Sequence, residues 1–200
     1  MSGRPGTIRI VAGRHRGRRL KVPEGSDVRP TSNRVRESLF NILAHRDWRV
    51  QGGRLPRDVR VLDVFAGSGA LGLEALSRGA TEVLFLESDR SARTALYRNI
   101  EFLDEAERAF VLPRDAVRPG PRPGAEPFGL VLADAPYHSG LAAPALVALL
   151  AEGWLGPNAV AVVELDATEP FDPPAEFEAV EERSYGNARL LFLEATGAPG

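Results

Sequence analysis

The spacing of hydrophobic and polar residues divides the chain into two parts, of which the first is short. Residues 7–11 and 18–22 alternate apolar with mostly basic positions, and glycines flank the basic stretch between them. This pattern predicts two short strands joined as a β-hairpin arm. A helix is predicted next, with Thr31 or Ser32 as its N-cap. Four apolar residues recur there at helical spacing, namely Val35, Leu39, Ile42 and Leu43.

The second part, from residue 59 onward, alternates apolar runs with helical patterns. Strands are predicted at residues 59–65, 82–86, 109–112, 128–133 and 159–164. Helices are predicted from the end of the first strand to about residue 78, and then over residues 90–103 and 141–151. Residues 177–183 and 188–194 indicate a closing antiparallel hairpin. Repeated strand–helix units predict an α/β fold, with a mostly parallel sheet covered by helices on both faces.

Turn-forming residues between the two parts indicate where one ends and the other begins. Gly52, Gly53 and Pro56 fall within a short stretch that lacks either periodicity. We therefore expect a basic arm and helix over residues 1–48 and a main domain over residues 49–200.

Composition is that of an ordinary soluble globular protein. The 200 residues are 44% hydrophobic and 26% charged, which is enough for a hydrophobic core. Because the chain has no cysteine, disulfides and thiolate chemistry are excluded, and its three histidines lie too far apart in sequence to suggest a zinc site. No apolar stretch approaches the length of a membrane span, and no secretory signal is evident. We therefore expect a cytoplasmic protein without a metal.

Charge is distributed unevenly, although the net charge is only −2. Residues 1–36 hold ten lysines and arginines against two acidic residues, whereas the rest of the chain has a net charge of −10. A basic segment of this kind favours a polyanionic partner. The candidate phosphate contacts are Arg14, Arg16, Arg18, Arg19, Arg29, Arg34 and Arg36. Of these, Arg34 and Arg36 are expected to project from the first turns of the predicted helix.

A glycine-rich loop follows the first strand of the main domain. Gly67, Gly69 and Gly72 stand where this strand passes into a helix, so that backbone N–H groups can approach a ligand closely. Asp63 would repel a pyrophosphate and attract a cationic sulfonium or ammonium group. Glu87 stands where an acidic side chain accepts both hydroxyls of a ribose, which fits NAD and S-adenosylmethionine equally. The alternative is a tight turn in which Asp63 serves only as a cap.

A second candidate site lies at the end of the fourth strand, where Asp134, Ala135, Pro136 and Tyr137 follow one another. Ligands of open α/β sheets bind at the carboxyl ends of the strands, so Asp134 and the glycine loop should face one crevice. A carboxylate, a backbone carbonyl and an aromatic ring suit a planar base with an exocyclic amine. Their hydrogen bonds would turn the nitrogen lone pair toward an electrophile. The alternative is a strand-ending turn with Tyr137 as half-buried filler.

Five segments of the chain, which include the glycine loop, together resemble the RsmD family of bacterial 16S rRNA guanine-N2 methyltransferases. The similar segments lie at residues 8–10, 16–20, 29–31, 34–41 and 62–75. The resemblance implies a Rossmann-like class I methyltransferase fold, in which a seven-stranded sheet ends in an antiparallel pair. It also implies S-adenosylmethionine as the cofactor. The implied partner is 16S rRNA within a small ribosomal subunit or an assembly intermediate, with the protein acting as a monomer.

The resemblance also assigns roles to individual residues. The cofactor pocket would be lined by Asp63, Phe65, Ala66, Gly67, Ser68, Gly69, Glu87, Ser88, Asp115, Ala116 and Asp134. Residues Asp134 to Tyr137 correspond to the amine-methylating signature, which in the family is usually Asp-Pro-Pro-Tyr or Asp-Pro-Pro-Phe. Ala135 replaces the first proline, so the carbonyl at this position survives but the turn is less rigid.

The expected reaction is direct methyl transfer to the amine without a covalent enzyme intermediate, because a thiolate adduct would need a cysteine. Three alternatives remain open at this point. A DNA adenine-N6 methyltransferase would share both motifs. A nicotinamide oxidoreductase would need only the glycine loop, and a non-catalytic RNA-binding or assembly factor would bind the cofactor without turnover.

Overall fold

The computed structural model describes residues 8–22, 32–50 and 54–196. Some predictions concern residues outside these ranges. They are the strand start at Thr7, the phosphate contact Arg29, the N-cap candidate Thr31, and the boundary glycines Gly52 and Gly53.

A seven-stranded sheet organises the fold. Its strands are β1 Arg60–Val64, β2 Glu82–Leu86, β3 Ala109–Leu112, β4 Phe128–Ala133, β5 Leu155–Asp166, β6 Phe177–Tyr185 and β7 Ala188–Ala195. Their spatial order is β3-β2-β1-β4-β5-β7-β6, and β7 runs antiparallel to both of its neighbours. Since β1 to β5 pair in parallel, the predicted mostly parallel arrangement with a terminal antiparallel pair is confirmed.

Strand β5 begins at Leu155, four residues before the predicted start. The intervening Gly156, Pro157 and Asn158 are residue types that favour turns, so the sequence hides this part of the strand. These three residues fit into β5 because the pairing of β4 with β5 changes register there. Phe128 pairs with Leu155, whereas Leu130 pairs with Val160.

The described part of the chain contains four helices, α1 Asn33–His45, α2 Ala70–Ser77, α3 Arg90–Leu103 and α4 Ala142–Ala151, of which α1 precedes the sheet and the other three connect its strands. Ser32 caps α1 and Asp89 caps α3, each accepting a hydrogen bond from a backbone N–H in the first turn. None of these helices is long and apolar enough to cross a bilayer.

Apolar side chains form one cluster on each face of the sheet. Phe40 of α1, Leu73 of α2 and Leu96 of α3 belong to one cluster, and Leu146 of α4 belongs to the other. Neighbouring residues of a strand point to opposite faces, so each strand contributes to both clusters. The result is a three-layer arrangement in which α1, α2 and α3 share one face.

The N-terminal hairpin packs on that same helical layer. Arg9 and Arg19 form an isolated antiparallel bridge, which is shorter than the two predicted strands. Ile8, Ile10 and Leu20 are buried in the cluster that contains α1, α2 and α3. The hairpin is therefore docked onto the helices. The hairpin, α1 and the sheet contribute to one core. The division into an arm and a main domain stays a prediction.

Candidate active site

The strand register brings the two sequence motifs to the same edge of the sheet. Val64, at the end of β1, pairs with Leu86 of β2 on one side and with Ala133 of β4 on the other. The strands are parallel, so the next residues along the chain lie level with one another at the carboxyl edge. Glu87 and Asp134 therefore flank the start of the glycine loop.

The glycines of this loop have different physical roles. Gly69 and Gly72 are closely packed, because a Cβ added to Gly69 would lie 2.3 Å from Leu96 and one added to Gly72 would lie 2.3 Å from Phe85. Gly67 has a positive φ of 56°, and a Cβ there would meet nothing within 4 Å. Packing of α2 thus requires Gly69 and Gly72, whereas Gly67 faces open space where a ligand could approach.

Asp63 lies beneath the loop and is 1% exposed. Its Oδ2 accepts a hydrogen bond of 2.8 Å from the backbone N–H of Gly72. Burial raises the pKa of the Asp63 carboxyl well above its usual range, and the charges of Asp134 and Glu87 raise this pKa further. The capping contact expected for a tight turn is therefore present. A contact with a ligand stays a prediction.

Glu87 is held in place by backbone groups on both sides. Its Oε2 accepts from the N–H of Gly67 and its Oε1 from the N–H of Asp89, each at 2.7 Å. A carboxylate can accept about four hydrogen bonds, so capacity for two more acceptor contacts remains. Ser88, beside it, is exposed.

The residues after β3 provide a third side of this edge. Asp115 is half-buried, accepting from the backbone N–H of Val117 and from Arg118, each at 3.1 Å. Ala116 is buried in the same cluster as Leu86. An acidic side chain thus adjoins a small apolar surface.

The turn after β4 contains a hydrogen bond that the sequence did not predict. Asp134 is partly buried and Ala135 is buried, whereas Pro136 and Tyr137 are exposed. The Tyr137 hydroxyl donates to Oε1 of Glu164 at 3.1 Å. Partial burial raises the pKa of Tyr137, and the charges of Glu164 and Asp134 raise it further.

Glu164 also lies at this edge, and the sequence did not predict it as part of the site. It is 2% exposed and lies one residue beyond Val163, the partner of Ala133. Its only signal in the sequence is an acidic residue directly after the apolar run of residues 159–163, just as Asp134 follows an apolar run.

The expectation that Arg36 projects from its helix is wrong. Arg36 is completely buried on the inward face of α1, where its Nη2 donates to Asn33 and its Nε lies 3.6 Å from Oε2 of Glu74. Burial lowers the pKa of Arg36, while the charges of Glu74 and Glu164 oppose this effect. A direct contact with RNA is therefore excluded for this side chain.

The other predicted phosphate contacts within the described ranges are exposed. These residues are Arg14, Arg16, Arg18, Arg19 and Arg34. Across the same ranges, no three His, Asp or Glu side chains are placed to hold a metal ion.

Comparison with known proteins gives a consistent assignment. The family described as conserved hypothetical protein 95 matches residues 8–194. A ribosomal RNA small subunit methyltransferase D from Haemophilus influenzae is 37% identical over 185 residues, covering 90% of each chain. The protein of that name from Escherichia coli is 38% identical over 195 residues, covering 96% of this chain and 93% of the relative. The solved structure of the yhhF protein from Escherichia coli has a TM-score of 0.77 at 36% identity, and the match covers 95% of this chain and 98% of that chain.

Proposed function

Since the chain belongs to the RsmD family, we propose that it transfers a methyl group from S-adenosylmethionine to the exocyclic N2 of a guanine in 16S rRNA. One observation carries this proposal. The glycine loop with Glu87, and the turn from Asp134 to Tyr137, meet at one edge of the sheet. A donor and a planar base bound at these two motifs would lie side by side.

The residues of this edge fit a cationic donor. Glu87 and Asp134, together with Asp63 when its carboxyl is ionised, give the edge a negative character that would stabilise a sulfonium cation. The open space at Gly67 allows a close approach to the loop backbone, and the spare acceptor capacity of Glu87 suits ribose hydroxyls. Asp115 and Ala116 suit an adenine. S-adenosylmethionine, when bound, supplies an electrophilic methyl group.

On the substrate side, three residues of the turn have distinct tasks. The Asp134 carboxylate and the carbonyl of Ala135 accept the two hydrogens of the guanine amine, and the ring of Tyr137 packs on the base. This orients the nitrogen lone pair for in-line attack, in which the new N–C bond forms as the C–S bond breaks. The proton lost by the nitrogen passes to Asp134 or to solvent. Catalysis of this kind depends on orientation and electrostatics.

The target guanine must leave its stack to reach this edge, which favours a looped or flipped nucleotide. The basic N-terminal hairpin provides phosphate contacts beside the helical layer. We infer that the protein acts as a monomer in the cytoplasm, on a small ribosomal subunit or on an assembly intermediate.

Mapping of modified nucleotides in 16S rRNA from cells lacking this protein tests the proposal. We expect one N2-methylguanine to disappear and to return when the purified protein and S-adenosylmethionine are added to the isolated particles. Methylation of adenine in duplex DNA instead, or cofactor binding without any turnover, would overturn the proposal.

A variant comparison tests the assigned residues. Asp134→Asn should reduce turnover about 100-fold with cofactor and RNA saturating, because the charge next to the reacting amine is lost. The matched control Asp104→Asn changes an exposed residue at the distant end of α3 and should retain activity. Full turnover of Asp134→Asn would refute the role of this carboxylate.

A further inference from the structure

Two arginines lie directly opposite each other on the outer face of the N-terminal hairpin. Arg9 and Arg19 are bridge partners, and the hydrogen bonds from Ile10 N to Arg18 O and from Leu20 N to Ile8 O lie on either side of them. This is the non-hydrogen-bonded type of antiparallel pair, in which opposing Cα atoms are only about 4.5 Å apart.

The exposure pattern of the hairpin separates its two faces. Ile8, Ile10 and Leu20 are buried against the helices, whereas Arg9 and Arg19 are exposed. Two cationic side chains therefore stand next to each other in solvent.

Like charges placed directly opposite each other destabilise a strand pair. Residues 8–22 contain no acidic residue that could offset the charge. In the ranges that the structure covers, neither guanidinium is paired with a carboxylate. Lys21, two residues after Arg19, is also exposed and adds a third cation. An anion from outside the chain would offset this repulsion.

Two other arginines of the hairpin are used for internal contacts. Arg14 forms an ion pair with Glu105, whose side chain is 1% exposed. The guanidinium of Arg18 lies 5.3 Å from the centre of the Phe102 ring, and its Nη1 donates to the Phe102 carbonyl at 2.9 Å. Both contacts tie the hairpin to the end of α3.

Backbone contacts fix the position of the hairpin further. Glu74 of α2 accepts from Val11 N at 2.7 Å and from Ala12 N at 3.0 Å. Asn99 of α3 both accepts from Lys21 N and donates to Lys21 O. Because the hairpin is held in one place, binding would require little additional ordering of its backbone.

We propose that Arg9 and Arg19 form a phosphate-binding pair on the outer face of the hairpin, and that Arg14 and Arg18 anchor the hairpin to α3. The proposal rests on the proposed function for the identity of the anion, which is the phosphodiester backbone of rRNA. It adds Arg9 to the phosphate contacts and assigns a structural role to two arginines of the hairpin.

Two double variants of the full-length protein test this division. Arg9→Gln/Arg19→Gln removes the outer pair, and Arg14→Gln/Arg18→Gln is the control with the same change of charge. Binding of protein-free 16S rRNA is measured against salt concentration, together with thermal unfolding and the affinity for S-adenosylmethionine.

We expect the outer-pair variant to bind rRNA about 30-fold more weakly at 0.1 M salt, with a slope of log K against log salt reduced by about 1.5. Its unfolding temperature should not fall, because removing both charges relieves their mutual repulsion. Its cofactor affinity should stay unchanged. The control variant should unfold at a lower temperature and keep most of the salt slope.

Equal salt slopes for the two variants would overturn the inference. Unchanged binding of protein-free rRNA by the outer-pair variant, combined with weak binding to assembled particles, would indicate a protein partner and would also overturn it. Failure of the proposed function gives a different result. The two double variants would still differ in their salt slopes for rRNA binding, but the wild-type protein would not methylate the rRNA.

Discussion

The hydroxyl of Tyr137 donates a hydrogen bond to the buried Glu164, with 3.1 Å between the two oxygens. This bond connects the exposed turn after β4 to the neighbouring strand β5. A ring with a fixed hydroxyl has fewer orientations, so the side chain that we propose contacts the target base is positioned before substrate arrives. We therefore expect Glu164 to act as a positioning residue that needs no contact with the substrate.

Removal of either partner of this bond should reduce turnover by a similar factor. We expect Tyr137→Phe and Glu164→Leu each to lower kcat about fivefold, which corresponds to the loss of roughly 1 kcal/mol from one hydrogen bond. The double variant should be little worse than either single one, because both changes remove the same interaction. Methyl incorporation into 16S rRNA with saturating cofactor measures this. Multiplicative losses in the double variant would contradict it, and an unchanged KM for S-adenosylmethionine is the internal control.

Two glycines of the loop, Gly67 and Gly69, should respond differently to an added methyl group. Gly69→Ala should destabilise the protein by about 3 kcal/mol, because a positive φ and a clash with Leu96 add together. Gly67→Ala should cost only about 1 kcal/mol for its positive φ, since no atom lies nearby. Denaturant unfolding measures both values. Cofactor titration should show that Gly67→Ala loses more affinity than stability, and equal unfolding midpoints for the two variants would refute this account.

Arg34 and Arg36, two residues apart on α1, provide a matched pair of arginine substitutions. Arg36→Gln should destabilise the protein by about 3 kcal/mol, because it leaves the buried Glu74 without one of its cationic partners. Arg34→Gln removes the same charge from an exposed position and should change stability by less than about 0.5 kcal/mol. Urea unfolding at neutral pH distinguishes them. A stable Arg36→Gln protein would show that the buried ion pair is dispensable.

Asp63 should affect stability and cofactor binding in opposite directions. Since burial raises the pKa of its carboxyl in the folded protein, folding favours the protonated form. The protonated Asp63 carboxyl therefore stabilises the folded protein at pH values below the pKa of this group in the unfolded chain. This stabilisation is lost as pH rises through the raised pKa of the folded protein. At neutral pH, Asp63→Asn should therefore raise the unfolding temperature of the cofactor-free protein and make it less dependent on pH.

The same substitution should weaken S-adenosylmethionine binding about tenfold, since at least roughly 1 kcal/mol of attraction between opposite charges is lost. Calorimetric titration and thermal unfolding from pH 4 to 8 test the two effects together. Unchanged cofactor affinity in Asp63→Asn would assign to Asp63 only the capping of Gly72.

Local patterns in the sequence determined most of the fold and the position of the site. Strands β2, β3 and β4 and helix α3 begin and end at the predicted residues, since each combines clear periodicity with a cap or turn at its ends. The parallel strand order follows from repeated strand–helix units, and it brings Glu87 and Asp134 to one edge. The glycine loop is predictable from the sequence because its glycines occur where the backbone has a positive φ or where there is no space for a Cβ.

Only the tertiary structure decided which side chain meets which partner. Arg36 looks exposed in sequence, because nothing near it shows that Glu74 will pack against the same face of α1. Tyr137 and Glu164, and likewise Arg18 and Phe102, are brought together from distant positions along the chain. Periodicity reports which face of an element is apolar, but a polar contact between elements depends on how those elements pack. A polar side chain can therefore be assigned to an element from sequence, whereas its role depends on a partner that the fold supplies.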